Sequence, residues 1–177
     1  MSAFDPKRTS ADRPLFELSQ ILQIRTVISL TVLWDVPSEG GMPEVPLVSI
    51  VDDDGLARGG IRELVESFGY KAVTFKSAED FLKSDRIAET TCLITDLQMP
   101  GQNGLELQEA LRSRGYQTPV ILVTAYPSEK HRTRALQNGA IAFLTKPFDE
   151  RSLMECLTTA IKLRSSQARR TGTVDGR

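Results

Sequence analysis

Four stretches of the sequence carry polar residues that could act on a phosphoryl group. Three aspartates, Asp52 to Asp54, follow one apolar run, and Asp96, Thr124 and Lys146 stand at the ends of others. Neighbouring carboxylates repel one another, so the cluster favours a bound cation; oxygen ligands without His or Cys favour Mg²⁺. A carboxylate beside Mg²⁺, faced by an ammonium and a hydroxyl, could attack phosphorus and form an aspartyl phosphate.

Short apolar runs that alternate with helical patterns position these residues. Apolar strands without polar alternation must be buried on both faces, which predicts a parallel sheet between two layers of helices, a three-layer α/β fold. Ligands of such sheets bind at the carboxyl ends of the strands, where the polar residues stand. Five strands are predicted, at residues 47–51, 71–75, 92–95, 120–123 and 141–144.

Five helices are predicted between and after the strands. Ser77, Ser128 and Asp149 are typical N-cap residues for three of them, and residues 105–112 form another. The first helix carries Gly59 and Gly60, each of which should cost about 1 kcal/mol relative to alanine. Its apolar residues are predicted on one buried side: Leu56, Ile61, Leu64, Val65 and Phe68.

The bulk composition indicates one ordinary globular domain with some additional chain. The sequence has 177 residues, is 40% hydrophobic and has a formal net charge of −1. This charge gives no overall attraction to nucleic acid or to anionic membranes. Cys92 and Cys156 lie in apolar runs without metal-site spacing, so we expect reduced cysteines in a cytoplasmic protein.

Changes in composition and in hydrophobic periodicity divide the chain into three parts. Residues 1–46 are predicted to be an extension that is poorly ordered or comes from a misannotated start; the alternative is a partner-binding extension that uses residues 15–34. Glu17 and Arg25 interrupt that segment, so neither a membrane anchor nor a signal peptide is expected. Residues 47–164 form the domain. Residues 165–177 are predicted to be a flexible basic tail, too short for a helix-turn-helix unit.

Four separated motifs carry a family resemblance. In motif, order and spacing, the sequence resembles the receiver domain of two-component response regulators over residues 47–164, and among these the FixJ and NarL type. The resemblance implies a flavodoxin-like (CheY-like) doubly wound fold with strand order 2-1-3-4-5. The motifs are Leu47 to Asp53, Leu93-Ile-Thr-Asp-Leu-Gln-Met-Pro-Gly-Gln-Asn-Gly104, Val123-Thr-Ala125 and Phe143-Leu-Thr-Lys-Pro-Phe148.

The resemblance also implies a metal site around the phosphoacceptor. Asp96 matches the residue that takes the phosphoryl group, and Asp52 and Asp53 match the acidic pair that holds Mg²⁺ with it. The carbonyl of Gln98 would be a further metal ligand. Asp54 then caps the following helix, although Asp53 and Asp54 could instead form the acidic pair.

Three further roles follow from the same resemblance. Thr124 matches the hydroxyl that turns toward the phosphoryl group, and Lys146 is its charged partner. Phe143 matches an aromatic switch residue that moves inward with the threonine; the alternative is an ordinary core residue. The bond between Lys146 and Pro147 is expected to be cis.

The function implied is that of a stand-alone response regulator. It would receive phosphate from a sensor histidine kinase or a histidine phosphotransfer protein and catalyse only its own Mg²⁺-dependent phosphorylation and dephosphorylation, so it is not expected to be an enzyme. Its output would be protein contact through the fourth helix, fifth strand and fifth helix, a face that could also form a homodimer. No binding of DNA or membrane is expected.

Two other functions remain as alternatives. A phosphohydrolase of the haloacid-dehalogenase type would use an aspartate of the first strand as nucleophile, in the Asp-x-Asp of residues 52–54. A receiver without its own output would serve as a phosphate sink for another receiver.

Overall fold

A computed structural model of the protein describes residues 44–171. Almost all of the predicted extension, residues 1–46, lies outside this range, and so does the end of the predicted tail of residues 165–177, from residue 172 onward. Strands and helices alternate along the described chain. They are β1 (Leu47–Val51), α1 (Gly55–Ser67), β2 (Lys71–Phe75), α2 (Ala78–Lys83), β3 (Thr90–Asp96), α3 (Gly104–Ser113), β4 (Val120–Thr124), α4 (Glu129–Gln137), β5 (Ala142–Thr145) and α5 (Glu150–Thr171).

The five strands form one parallel sheet in the order β2-β1-β3-β4-β5. The three-layer α/β fold and its predicted strand order are therefore confirmed. The order changes direction between β1 and β3, which places the carboxyl ends of these two strands side by side. In register, Asp96 pairs with Val123, and Thr124 pairs with Thr145.

Two apolar layers cover the faces of the sheet because neighbouring residues of a strand point to opposite sides. Leu93 and Leu122 face the layer formed by α2, α3 and α4. Ile94 and Val123, each one residue later, face the layer formed by α1 and α5. The strand ends that carry the site residues therefore belong to a sheet that is packed on both faces.

Helix α1 corrects one prediction. Ile61 and Val65 are buried, but Leu56 is 89% exposed. An α-helix turns by about 100° per residue, so a residue five positions before Ile61 lies about 140° away from it around the axis. Leu56 therefore cannot share the buried side. Gly59 and Gly60 of this helix face open space, since a Cβ at either position would meet nothing within 4 Å.

Helix α5 extends further than the sequence analysis places it. The domain was expected to end at residue 164, but the helix continues to Thr171. Two serine hydroxyls bond to carbonyls one turn earlier, Ser165 to Ile161 at 3.0 Å and Ser166 to Lys162 at 2.9 Å. No glycine or proline occurs between Asp149 and Thr171, so nothing in this stretch breaks the helix. Within residues 44–171, no helix combines the length and apolar character needed to cross a lipid bilayer.

Candidate phosphorylation site

Lys146 joins two of the predicted site residues at the carboxyl edge of the sheet. Its Nζ donates to Oδ2 of Asp52 at 2.7 Å and to Oδ1 of Asp96 at 2.6 Å. The carboxylates belong to segments that follow or end the neighbouring strands β1 and β3, and the lysine follows β5. The two aspartate side chains are 2% and 9% exposed, and that of Lys146 is 20% exposed. Folding therefore assembles a nearly buried triad from three distant parts of the chain.

Backbone groups fix the orientation of both carboxylates. The amide of Asp54 donates to Oδ1 of Asp52 at 2.8 Å, and the amide of Gln98 donates to Oδ2 of Asp96 at 2.6 Å. The backbone N–H of Lys146 donates to the carbonyl of Thr124 at 2.8 Å, which ties the ends of β4 and β5 together. Each carboxylate oxygen of the triad thus has one donor and retains further lone pairs.

Burial and charge act in opposite directions on the ionisable groups of this triad. Burial is the largest effect on the pKa of Asp96 and raises it, and the charge of Asp52 raises it further; Lys146 and the amide of Gln98 lower it, but the net shift is upward. Burial lowers the pKa of Lys146, but the hydrogen bonds and charges of Asp52 and Asp96 together outweigh that effect, so the pKa of the ammonium is raised. The charge of Asp52 contributes to both upward pKa shifts, because it favours the charged form of Lys146 and disfavours that of Asp96.

The donor set fits a divalent cation in its chemistry. Two nearly buried carboxylates share one ammonium, so the triad keeps a net negative charge, to which the neighbouring carboxylate of Asp53 adds. Carboxylate and carbonyl oxygens are the ligands that Mg²⁺ prefers. Asp52, Asp53, Asp96 and the carbonyl of Gln98 are the residues that would hold it.

Asp53 is the member of this set that the structure does not bring into the triad. Its side chain is exposed and makes no hydrogen bond or ion pair with another described residue. Accordingly, the described chain contains no group of three or more His, Cys, Asp or Glu side chains arranged to hold a metal ion. Asp54 caps α1 by accepting from the amides of Leu56 and Ala57, as predicted, which favours Asp52 and Asp53 as the acidic pair.

The two predicted switch residues, Thr124 and Phe143, are buried. Thr124 is fully buried, and its Oγ1 accepts from the amide of Tyr126 at 3.1 Å. Phe143 is 7% exposed and packs in the core layer beneath α2, α3 and α4. The peptide bond between Lys146 and Pro147 is cis.

The structure adds two residues that the sequence analysis did not select. The Nη1 of Arg58, on α1, donates to the carbonyl of Asp52 at 2.6 Å. Glu79, at the start of α2, accepts from the amide of Gln102 in the loop after Asp96 at 3.0 Å. In both contacts a side chain bonds to a backbone atom of another segment. The spacing of residue types in the sequence does not predict such contacts. Gly104 is a third constraint, because a Cβ there would collide with the carbonyl oxygen of Asp96.

Comparisons with known proteins agree with this geometry. The family model of the response regulator receiver domain matches residues 48–158. The chain is 34% identical to the transcriptional regulatory protein TdiR of Thauera aromatica and 36% identical to the response regulator protein TmoT of Ectopseudomonas mendocina, in each case over 68% of its length. The matches cover 53% and 55% of those proteins, so the chain spans about half the length of the curated relatives it matches.

Solved structures give the same result. The response regulator StyR superposes with a TM-score of 0.70 at 36% identity, covering 75% of this chain and 67% of StyR. FixJ-N superposes with a TM-score of 0.61 at 28% identity, covering 67% of this chain and 95% of that structure. These relatives do not favour the phosphohydrolase alternative. The chain belongs to the receiver domain family of two-component response regulators.

Proposed function

We propose that Asp96 accepts a phosphoryl group in an Mg²⁺-dependent reaction that the domain itself catalyses. The donor is the phosphohistidine of a sensor histidine kinase or a histidine phosphotransfer protein, the partner class with which receiver domains interact. One observation carries the proposal: a single lysine ammonium holds the carboxylates of Asp52 and Asp96 together at the edge of the sheet. In this reading the domain has no enzymatic activity on other substrates.

The proposed transfer uses Asp96, Lys146 and Thr124. A carboxylate oxygen of Asp96 forms a bond to phosphorus while the bond between phosphorus and the donor's imidazole nitrogen breaks. The imidazole leaves with that electron pair and takes a proton from solvent. Lys146 offsets the negative charge of the phosphoryl oxygens, and the hydroxyl of Thr124 can donate to one of them. When bound, Mg²⁺ supplies further neutralisation of the same oxygens.

The output is a shift in population between two arrangements of the face formed by α4, β5 and α5. Thr124 and Phe143 connect this face to the site, because Thr124 ends β4 and Phe143 lies on β5. A protein target reads the face, and a second copy of the chain could also bind there. We place the domain in the cytoplasm, together with its donor.

A phosphodonor experiment tests the proposal. The protein is incubated with Mg²⁺ and acetyl phosphate, and the intact mass is measured before and after brief exposure to base. We expect a base-labile mass increase that requires Mg²⁺, persists in Asp54→Asn and is absent in Asp96→Asn. Label that persists in Asp96→Asn but disappears in Asp52→Asn would overturn the assignment and support the hydrolase chemistry.

Two points about output have their own tests. We expect no DNA binding, although the relative TdiR is described as a transcriptional regulator and extends well beyond the matched region; a binding assay with double-stranded DNA tests this expectation. The alternative output is that of a phosphate sink for another receiver. A pull-down with and without beryllofluoride tests this alternative, because a sink would bind no target that distinguishes the two conditions.

A further inference from the structure

The loop between β3 and α3, residues 97–103, carries Gln98 past the phosphorylation site. Its first residues are held by backbone hydrogen bonds, from Leu97 to the carbonyl of Val123 at 2.8 Å and from Gly104 to the carbonyl of Leu97 at 3.1 Å. Its last residue, Asn103, forms a capping box with Glu106 at the start of α3. These contacts fix both ends of the loop but not its middle.

Glu79 of α2 holds the second half of this loop through Gln102. Its Oε1 accepts from the amide of Gln102 at 3.0 Å, across 23 residues of chain. Gly101, the residue before, has a φ of +76°, and a Cβ there would lie 2.7 Å from the same oxygen. The turn at Gly101 therefore needs glycine for its left-handed backbone and for the close approach of Glu79.

The carboxylate of Glu79 is held by hydrogen bonds, including this contact, and not by an ion pair. It forms no ion pair within residues 44–171, although Lys83 lies on the same helix. Hydrogen bonds from its own amide and from that of Gln102 lower its pKa, so the group is ionised at neutral pH. A charged acceptor makes a stronger hydrogen bond to a backbone amide than a neutral one does.

We propose that Glu79 is a positioning residue for the phosphorylation site. By holding the amide of Gln102, it restrains the loop that presents the carbonyl of Gln98 and the amide that orients Asp96. The contact joins α2, which supplies no group to the site, to the loop in which Gln98 would supply a metal ligand. This inference rests on the proposed function for its consequence, but the contact itself can be tested without it.

Amide hydrogen exchange of the metal-free protein tests the contact directly. In Glu79→Ala, exchange at Gln102 should accelerate by about tenfold or more, because the acceptor is lost. Glu79→Gln keeps an acceptor oxygen and should retain most of the protection. Asp80→Ala is the matched control, since it removes an equal charge from the same helical turn without touching the loop. Unchanged exchange at Gln102 in Glu79→Ala would overturn the inference.

Titration with Mg²⁺ tests the consequence for the site. By calorimetry, Glu79→Ala should need roughly three- to tenfold more Mg²⁺ for half-saturation, the range expected for one lost hydrogen bond. Glu79→Gln and Asp80→Ala should remain near wild type. Equal weakening in all three variants would show an effect of charge alone and would contradict positioning. A wild-type protein that neither binds Mg²⁺ nor accepts phosphate would instead refute the proposed function, while the exchange result would still decide the contact.

Gly101→Ala provides an independent check. In the wild-type background it introduces both backbone strain and a collision with Glu79; in Glu79→Ala only the strain remains. Its effect on Mg²⁺ half-saturation should therefore be smaller in the Glu79→Ala background. The same fold-change in both backgrounds would show that Glu79 does not restrain this turn.

Discussion

The Nζ of Lys146 donates to Oδ1 of Asp96 at 2.6 Å while it also holds Asp52, so one cation compensates two nearly buried anions. Neither carboxylate has another cationic partner within 4.0 Å in the described chain. The stability of the metal-free domain therefore depends on this lysine more than on any exposed ion pair.

Lys146→Met should reveal that dependence. Removing one partner of a buried pair leaves uncompensated charge, and we expect a loss of about 3 kcal/mol in the free energy of unfolding. Added Mg²⁺ should restore part of it. Urea denaturation with and without Mg²⁺ measures both effects. Lys130→Met is the matched control, because Lys130 is exposed and forms no ion pair with a described residue; equal losses in the two variants would refute this account.

Asp96→Asn should change how stability depends on pH. The pKa of Asp96 is raised above its usual 3.8, chiefly by burial, so the folded state binds the proton more tightly than the unfolded state does. Its contribution to stability is therefore greatest at low pH, falls as the pH rises through the raised pKa, and is fully unfavourable at neutral pH. In urea titrations without Mg²⁺, Asp96→Asn should gain stability relative to wild type as the pH rises. A difference that is constant with pH would contradict this sign.

Two glycine substitutions should have opposite effects. At Gly104, a Cβ would collide with the carbonyl oxygen of Asp96 and lie 2.9 Å from Cδ2 of Leu122, so Gly104→Ala should cost about 1 to 3 kcal/mol. At the exposed Gly60 a Cβ meets nothing, so Gly60→Ala should stabilise α1 by up to about 1 kcal/mol. Thermal unfolding measures both. Destabilisation by Gly60→Ala would indicate a need for glycine that the packing does not explain.

Thr124→Val should separate the hydroxyl from its volume. The buried Oγ1 accepts from the amide of Tyr126, and its loss leaves that amide unpaired at a cost of about 1 kcal/mol. Thr124→Ser keeps the acceptor and should restore this hydrogen bond. We also expect Thr124→Val to accept phosphate while NMR signals of Phe143 respond less to beryllofluoride. A full response of Phe143 in the valine variant would remove Thr124 from the switch.

The elements that the sequence predicted well are those with a strong local signal. The apolar runs around Leu93 and Ile121 can only be buried strands, and Ser77 and Ser128 are the N-caps of α2 and α4. Leu56 was assigned to the wrong side because it is apolar, although its spacing from Ile61 does not match a helical period. For this residue, the helical period predicts burial better than the residue type does.

The site was predictable as a set of strand ends but not as a set of contacts. Each of Asp52, Asp96 and Lys146 follows or ends an apolar run, and a parallel sheet brings such positions together. Two contacts depend on the geometry of loops, which tertiary packing sets. Lys146 donates to both carboxylates, and Glu79 accepts from the amide of Gln102. The spacing of residues along the sequence does not predict that geometry.

The edge position of β5 has a consequence during translation. The lysine that completes the triad lies 94 residues after Asp52 and directly follows β5, the last strand of the described residues 44–171. A nascent chain can expose all three aspartates of the first loop, and Asp96 as well, before Lys146 has been synthesised. The triad can therefore form only in one late step, when β5 docks at the edge of the sheet.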